Sequence, residues 1–332
     1  MWILFATIYA LLIGFYTVLR KKASQKTNLL FVLAVSSSIG FLLVSWSAAE
    51  AVTLSWQYIL FIFGKSIIVS QAWVFELIAL KNYYISSLQP ISAIKVVIAF
   101  IANMLIFNEQ VVWWKFIGVV IIFAGLITLN QYDRKTLKNA NNFNLNKIDL
   151  NKNIVKFENI GNENVYIEKS NKVSENVIVE TDMQTLKKRR IKAIIFFIFS
   201  CIFNETSGIL DKIILNHVST NQMQFWFMLF VAIIIWIYFF VLCAKKRKMQ
   251  VQKSDWKNYL MYIIPFILII ADRFLFTALS QPNVLVTGVS IIKQLSTIVA
   301  VIFGGLLYKE PNLKYKLIYL AIILVGIIIV LV

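Results

Sequence analysis

Seven ionisable residues sit inside otherwise apolar stretches of this chain: Lys65, Glu76, Lys95, Glu205, Asp272, Arg273 and Lys293. A charge at the centre of a hydrocarbon layer costs a few kcal/mol even on insertion scales. Such residues therefore face a polar interior, pair with each other, or meet a charged solute or ion. That is solute-binding and proton-relay chemistry. Glu205, mid-stretch beside Asn204 and Ser207, is the candidate proton-coupling group. Soluble-enzyme chemistry is not indicated. The single histidine, His217, lies between two apolar stretches, and Cys201 and Cys243 fall inside such stretches and make no disulfide framework. No catalytic residue, metal or cofactor is expected.

The seven charges are four positive and three negative. Most can pair internally, with Asp272 to Lys293 or Glu205 to Lys95 as the structural alternatives. One positive charge is then left over, and an anionic group on a solute would meet it. A lysine suits that role as a compact point charge that needs no bidentate geometry.

The elements that must position these residues follow from composition. The chain has 332 residues, of which 59% are hydrophobic and 15% charged. A soluble domain cannot hide that much apolar surface. Ten runs are long enough to cross the bilayer: 2–19, 29–46, 58–80, 86–107, 112–130, 191–214, 225–243, 258–279, 285–307 and 315–331. They are too long and too continuously apolar for barrel strands. The first has no basic n-region or small-residue cleavage site, so it reads as a span and not a signal peptide. The charges lie in spans 3, 4, 6, 8 and 9 only.

Helical spacing aligns them on faces. Span 3 carries Lys65, Ala72 and Glu76. Span 4 carries Ser92, Lys95, Ala99 and Ala102, and span 9 carries Lys293, Thr297, Ala300 and Gly304. Trp73, Trp226 and Phe276 are candidate lining aromatics.

Spans 4 and 9 belong to an internal repeat. Shifted by 201 residues, 91–127 aligns with 292–328 without a gap, and eleven of 37 positions are identical. Eight of those are Ile, Leu or Ala, which membrane composition makes common. The other three are Glu109/Glu310, Lys115/Lys316 and Gly125/Gly326. Five spans per copy is an odd number, so the second copy enters the membrane from the opposite side. Inverted repeats of this kind are typical of secondary transporters. The repeated residues also have an architectural reading. Glu109 and Glu310 favour the N-terminus of the following helix, Lys115 and Lys316 snorkel outward, and Gly125 and Gly326 allow close helix approach.

The two copies, "LQPISAIKVVIAFIANMLIFNEQVVWWKFIGVVIIFAG" and "VSIIKQLSTIVAVIFGGLLYKEPNLKYKLIYLAIILVG", resemble the EamA-type transporters of the drug/metabolite transporter superfamily. The segment "GILDKIILNHVSTNQMQFWF" resembles the start of the second half in bacterial members. The second copy lacks a proline matching Pro90. The resemblance implies an all-α basket of ten helices whose spans 1, 3, 4, 6, 8 and 9 line a central cavity. It also implies export or exchange of small metabolites and does not fix the solute; the leftover positive charge adds the expectation of an anionic or zwitterionic one, such as an amino acid or organic acid, and the inverted repeat that of a secondary transporter working by alternating access. The expected partners are the lipid bilayer, the small-molecule solute and, as candidate drivers, a proton or counter-solute. Nucleic acid is not among them, because the net charge of +17 is spread between the apolar runs.

Residues 131–190 interrupt the two halves, 1–130 and 191–332. They hold 12 asparagines with mixed charge, a composition that cannot offset its own ordering entropy. The expectation is a mostly disordered linker. With the N-terminus outside, 27 of the 33 lysines and arginines fall on the cytoplasmic side, linker included. A bacterial plasma membrane is the expected location. The rival classes are a polytopic enzyme, which the single histidine disfavours, and a non-transporting scaffold or receptor acting through the linker.

Overall fold

The computed structural model describes residues 1–106, 113–147, 154–156, 166–168, 172–246, 251–253, 255–281, 284, 286–310 and 312–331. Glu109 lies outside the described residues. Span 1 is the helix Trp2–Lys26, span 2 Leu29–Val44, span 3 Trp56–Asn82, span 4 ends as Ile94–Ile106, and span 5 is Trp113–Lys147. Span 6 is Lys172–Leu215, span 7 Thr220–Lys246, span 8 Leu260–Leu279, span 9 ends as Leu295–Leu307, and span 10 is Leu313–Leu331. Among the described residues, nine helices are long and apolar enough to cross a membrane. Leu313–Leu331, with 19 residues, is the tenth; at ~1.5 Å per residue it reaches about 28 Å.

Apolar side chains such as Leu4, Leu60, Phe61, Ile237, Phe240, Phe266 and Ile270 stand exposed on the outer surface, where acyl chains replace water. Inside, Phe31, Ile62, Leu77, Met228, Phe239 and Phe276 belong to one buried cluster. Asn28 starts span 2 by accepting the backbone N–H groups of Leu30 and Phe31 at 3.0 and 3.4 Å.

The packing is two-fold. Span 1 lies on span 8 as span 6 lies on span 3, and span 1 meets span 9 as span 6 meets span 4. Spans 2 and 7, 4 and 9, and 5 and 10 each pack on their own counterparts. The chain is thus a basket of two inverted five-helix repeats. Lysines mark the relation as well. Lys21, late in span 1, donates to the Tyr83 carbonyl at the end of span 3 at 3.2 Å. Lys212, late in span 6, donates to the Leu279 carbonyl at the end of span 8 at 2.9 Å. Gly125 and Gly326 lie where spans 5 and 10 cross. A Cβ on Gly326 would sit 2.8 Å from the Gly118 carbonyl oxygen, and one on Gly125 would sit 2.6 Å from Ile323.

Spans 4 and 9 are not the continuous helices their hydropathy suggests. Span 4 begins as a short helix Ile85–Leu88, passes through the 3₁₀ segment Gln89–Ala93, and only then becomes α-helical. Span 9 begins as Val286–Lys293 and breaks at Gln294. The two breaks fall at matching repeat positions. Pro90 accounts for the first, since it has no N–H to give the helix. No proline marks the second. There the backbone closes tighter turns, Gln294 N–H to the Ile291 carbonyl and Thr297 N–H to the Gln294 carbonyl, both at 2.9 Å. The polar side chains freed at the breaks bond across the pseudo-axis. The Ser92 hydroxyl donates to Gln294 Oε1 at 2.9 Å and lies 2.7 Å from Thr297 Oγ1.

Within 131–190, the helix of span 5 continues to Lys147 and that of span 6 starts at Lys172. Between them the strands Ile154–Lys156 and Tyr166–Glu168 pair antiparallel.

Candidate functional site

A cavity of about 120 Å³ opens between the two halves. Span 1 faces it with Tyr9, Ile13, Tyr16, Thr17 and Arg20, a helical stripe. Span 6 faces it with Asn204, Glu205, Ser207, Gly208 and Asp211. Of the seven charges singled out in the sequence, Lys65, Glu76, Lys95, Glu205, Asp272 and Lys293 all line this one space. Trp73, Phe227 and Phe276 form its aromatic wall. Trp226 does not reach it; its indole N–H donates to the Ala51 carbonyl at 2.9 Å.

Arg273 is also elsewhere. Its guanidinium turns to Gln224 Oε1 at 3.3 Å and lies over the Trp46 ring at 5.3 Å. Neighbouring positions on a helix point about 100° apart, so Asp272 and Arg273 cannot share a face. Two lining charges escaped the sequence reading. Arg20 falls just past the apolar run 2–19, but the helix runs on to Lys26 and puts it one turn beyond Tyr16. Asp211 was passed over near the end of span 6, although Asn204, Gly208 and Asp211 form a helical stripe. The spacing carried that signal.

These two residues change the charge balance. The cavity holds four basic side chains, Arg20, Lys65, Lys95 and Lys293, and four acidic ones, Glu76, Glu205, Asp211 and Asp272. The single uncompensated positive charge expected from sequence is not there. Arg20 meets Glu76 at 2.9 Å and also donates to the Trp73 carbonyl at 2.7 Å. Lys65 Nζ lies 2.5 Å from Asp211 Oδ1 and 3.8 Å from the centre of the Phe227 ring. Lys293 faces Glu205 Oε2 at 3.8 Å, and the Ser290 hydroxyl donates to Glu205 Oε1. Neither of the pairs anticipated from sequence forms: Lys293 is with Glu205 and not Asp272, and Lys95 is not with Glu205. The acidic group next to each lysine is set by which helices pack together, and span 6 lies against spans 3, 4 and 9.

Away from the cavity, Glu310 is buried between the halves. It accepts the backbone N–H groups of Ile85 at 2.8 Å and Ser86 at 2.9 Å, the Ser86 hydroxyl, and Lys21 Nζ at 3.2 Å. It therefore caps the short helix that opens span 4, and not the start of span 10 that follows it in sequence. Lys316 does not snorkel outward. It is buried, donates to the Ser86 hydroxyl at 2.9 Å and lies over the Tyr84 ring. Burial works against ionisation of Glu310, but Lys21, the Ser86 hydroxyl and N–H, and Lys316 outweigh it. They hold the carboxyl below its ordinary value.

A model of the EamA-like transporter family matches residues 1–131 and 191–332, the two helical halves. The chain belongs to the EamA-like transporter family. Seventeen chains of solved structures match as well. One of them, known from a crystal structure, is similar over 96% of this chain and 95% of its own, at 14% identity and a TM-score of 0.55, and so shares the fold. Among curated proteins none matches. As an EamA-like member of the drug/metabolite transporter superfamily, this is a multi-pass integral membrane transporter of small solutes. The charged cavity lies between its two repeats.

Proposed function

We propose that this EamA-like protein is a secondary carrier that moves a small charged metabolite, an amino acid or organic acid, by alternating access in export or exchange. One observation carries the reading: six of the seven charges in the spans converge on a single cavity at the interface of two inverted repeats. The flanking breaks in spans 4 and 9 support it, since inverted-repeat carriers bind solute where helices are discontinuous. The volume, somewhat below the ~150 Å³ that holds a benzene molecule, favours a solute of few heavy atoms. A proton or counter-solute supplies the drive, and Glu205 belongs to the cavity through which it would act. The basic loops favour a bacterial plasma membrane with both termini outside and 131–190 as a cytoplasmic tether.

The test is counterflow. Purified protein in liposomes preloaded with an unlabelled mixture of amino acids, organic acids and sugar phosphates is given each labelled compound outside. Uptake above protein-free liposomes of at least one amino or organic acid is expected. Silence toward the whole mixture, from a monodisperse protein, overturns the carrier reading.

A further inference from the structure

We propose that the groove between spans 3 and 6 holds an anionic phospholipid, its phosphate met by Lys188, Arg189 and Lys192 and an acyl chain laid along Phe75, Phe196 and Phe199. The groove lies on the outer surface, apart from the charged cavity, and its lipid does not depend on what solute the cavity takes.

The apolar part of span 6 follows the stretch "KKRRIK", residues 187–192, in which five of six side chains are basic. Of the five, only Arg190 is buried. It donates to the Asn130 carbonyl at 2.9 Å and to Asn130 Oδ1, and so ties span 6 to span 5. Lys188, Arg189 and Lys192 are exposed and, among the described residues, in no ion pair. Helical spacing puts Lys188 and Lys192 on the face that continues as Phe196, Phe199 and Phe203. Span 3 sets Phe75 against those rings, with centroids 5.2, 6.4 and 5.9 Å away. Lys192 Nζ lies 5.7 Å from the centre of the Phe196 ring, so the cationic mouth and the aromatic floor are one surface. The floor is open, with Ile195 and Phe199 each 47% exposed.

The repeat offers a comparison within the chain. Spans 1 and 8 pack as spans 6 and 3 do, and they too bring an aromatic pair together, Phe5 and Phe274, at 6.0 Å. Yet the helix ends beside that pair, 1–8 and 275–281, contain no lysine or arginine. The aromatic contact therefore forms without cations at its mouth. Membrane orientation asks for basic residues at one end of the protein but not for their alignment with a groove.

Charge and depth select the partner. The three cations stand where the apolar run begins, at the level of lipid headgroups, and long basic side chains there reach phosphates. Phosphatidylglycerol brings a net negative charge to them, whereas phosphatidylcholine sets its own cation beside three others. A soluble phosphate monoester meets the cations but has no chain to cover the rings.

The full-length protein in a neutral detergent is titrated with dioleoyl phosphatidylglycerol, dioleoyl phosphatidylcholine or glycerol 3-phosphate. Native mass spectrometry reads lipid retention, and thermal shift reads stabilisation. Phosphatidylglycerol should bind about tenfold or more tighter than phosphatidylcholine, with a preference that shrinks at high salt, and glycerol 3-phosphate should not displace it. Lys188→Gln with Arg189→Gln and Lys192→Gln should weaken phosphatidylglycerol about tenfold or more and level the two lipids. Lys253→Gln with Lys257→Gln, exposed basic residues before span 8, should leave the preference intact. Should the triple variant fail to fold, Lys192→Glu alone, at an exposed position, should still weaken phosphatidylglycerol severalfold. Equal retention of the two lipids by the wild type overturns the proposal, as does a preference that survives the triple variant. Equal loss in the Lys253 and Lys257 variant would show a diffuse basic collar and no site, and displacement by glycerol 3-phosphate would make it a site for soluble phosphate; either result refutes the lipid assignment.

Discussion

Replacing Glu310 by glutamine removes a charge and almost nothing else in shape, so it isolates what the carboxylate does. Oε1 accepts the Ile85 N–H and Lys21, and Oε2 accepts the Ser86 N–H and hydroxyl. An amide must put its NH₂ on one side or the other. Either choice points donors at a backbone N–H and leaves that N–H unmet, at ~1–3 kcal/mol. Lys21, also buried, loses its counter-charge, and breaking a buried pair in this way costs ~3–5 kcal/mol. These losses share partners and do not add, so the expected destabilisation is ~3–5 kcal/mol. Denaturant unfolding in a fixed detergent reads it. Lys21→Met combined with Glu310→Gln should recover part of the loss, because the stranded ammonium is gone. Acidity gives a second arm. Glu310 sits below its ordinary value of 4.5 when folded. Its contribution is therefore full above that ordinary value and fades as pH falls through the lower folded one. The wild type should lose stability over that window, and Glu310→Gln should lose less. A glutamine variant within ~0.5 kcal/mol of wild type at neutral pH would refute the reasoning.

Lys65→Met strands Asp211 and should cost ~3–5 kcal/mol, while Lys65→Met with Asp211→Leu should recover most of it; unfolding of the single and double variants measures the cycle. Gly326→Ala drives a methyl into the Gly118 carbonyl and should destabilise the packing of spans 5 and 10 by ~1–3 kcal/mol; an unchanged unfolding midpoint would show that the crossing has slack. Leu150→Cys should resist an impermeant maleimide in intact cells and label after permeabilisation; labelling of intact cells reverses the orientation. Replacing 140–180 with a short Gly/Ser segment should leave a folded, monodisperse protein, and an aggregated one would give this segment a structural role.

Much of this protein is written locally. Ten apolar runs specify ten helices because the bilayer offers backbone groups no partner other than their own helix. The spacing of Glu, Lys and Gly across the 201-residue shift discloses the duplication, and an odd number of spans per copy inverts it. The charges of spans 3, 4, 6, 8 and 9 could be named because a charge inside an apolar run stands out in one dimension. What sequence leaves open is direction and partnership. Arg20 looked like a loop residue because a basic run follows it, and only a helix continuing past the apolar stretch turns it inward. Asp272 and Arg273 are adjacent in sequence yet face a cavity and a neighbouring helix respectively, a difference of about 100° that hydropathy does not record. Glu310 caps a helix more than 200 residues earlier, because the fold sets span 4's first turn beside the loop after span 9. Which lysine holds which carboxylate, and hence which charges remain for a solute, was decided by the packing of one repeat against the other. Ion pairing depends on distances of a few ångströms between helices that the sequence places far apart.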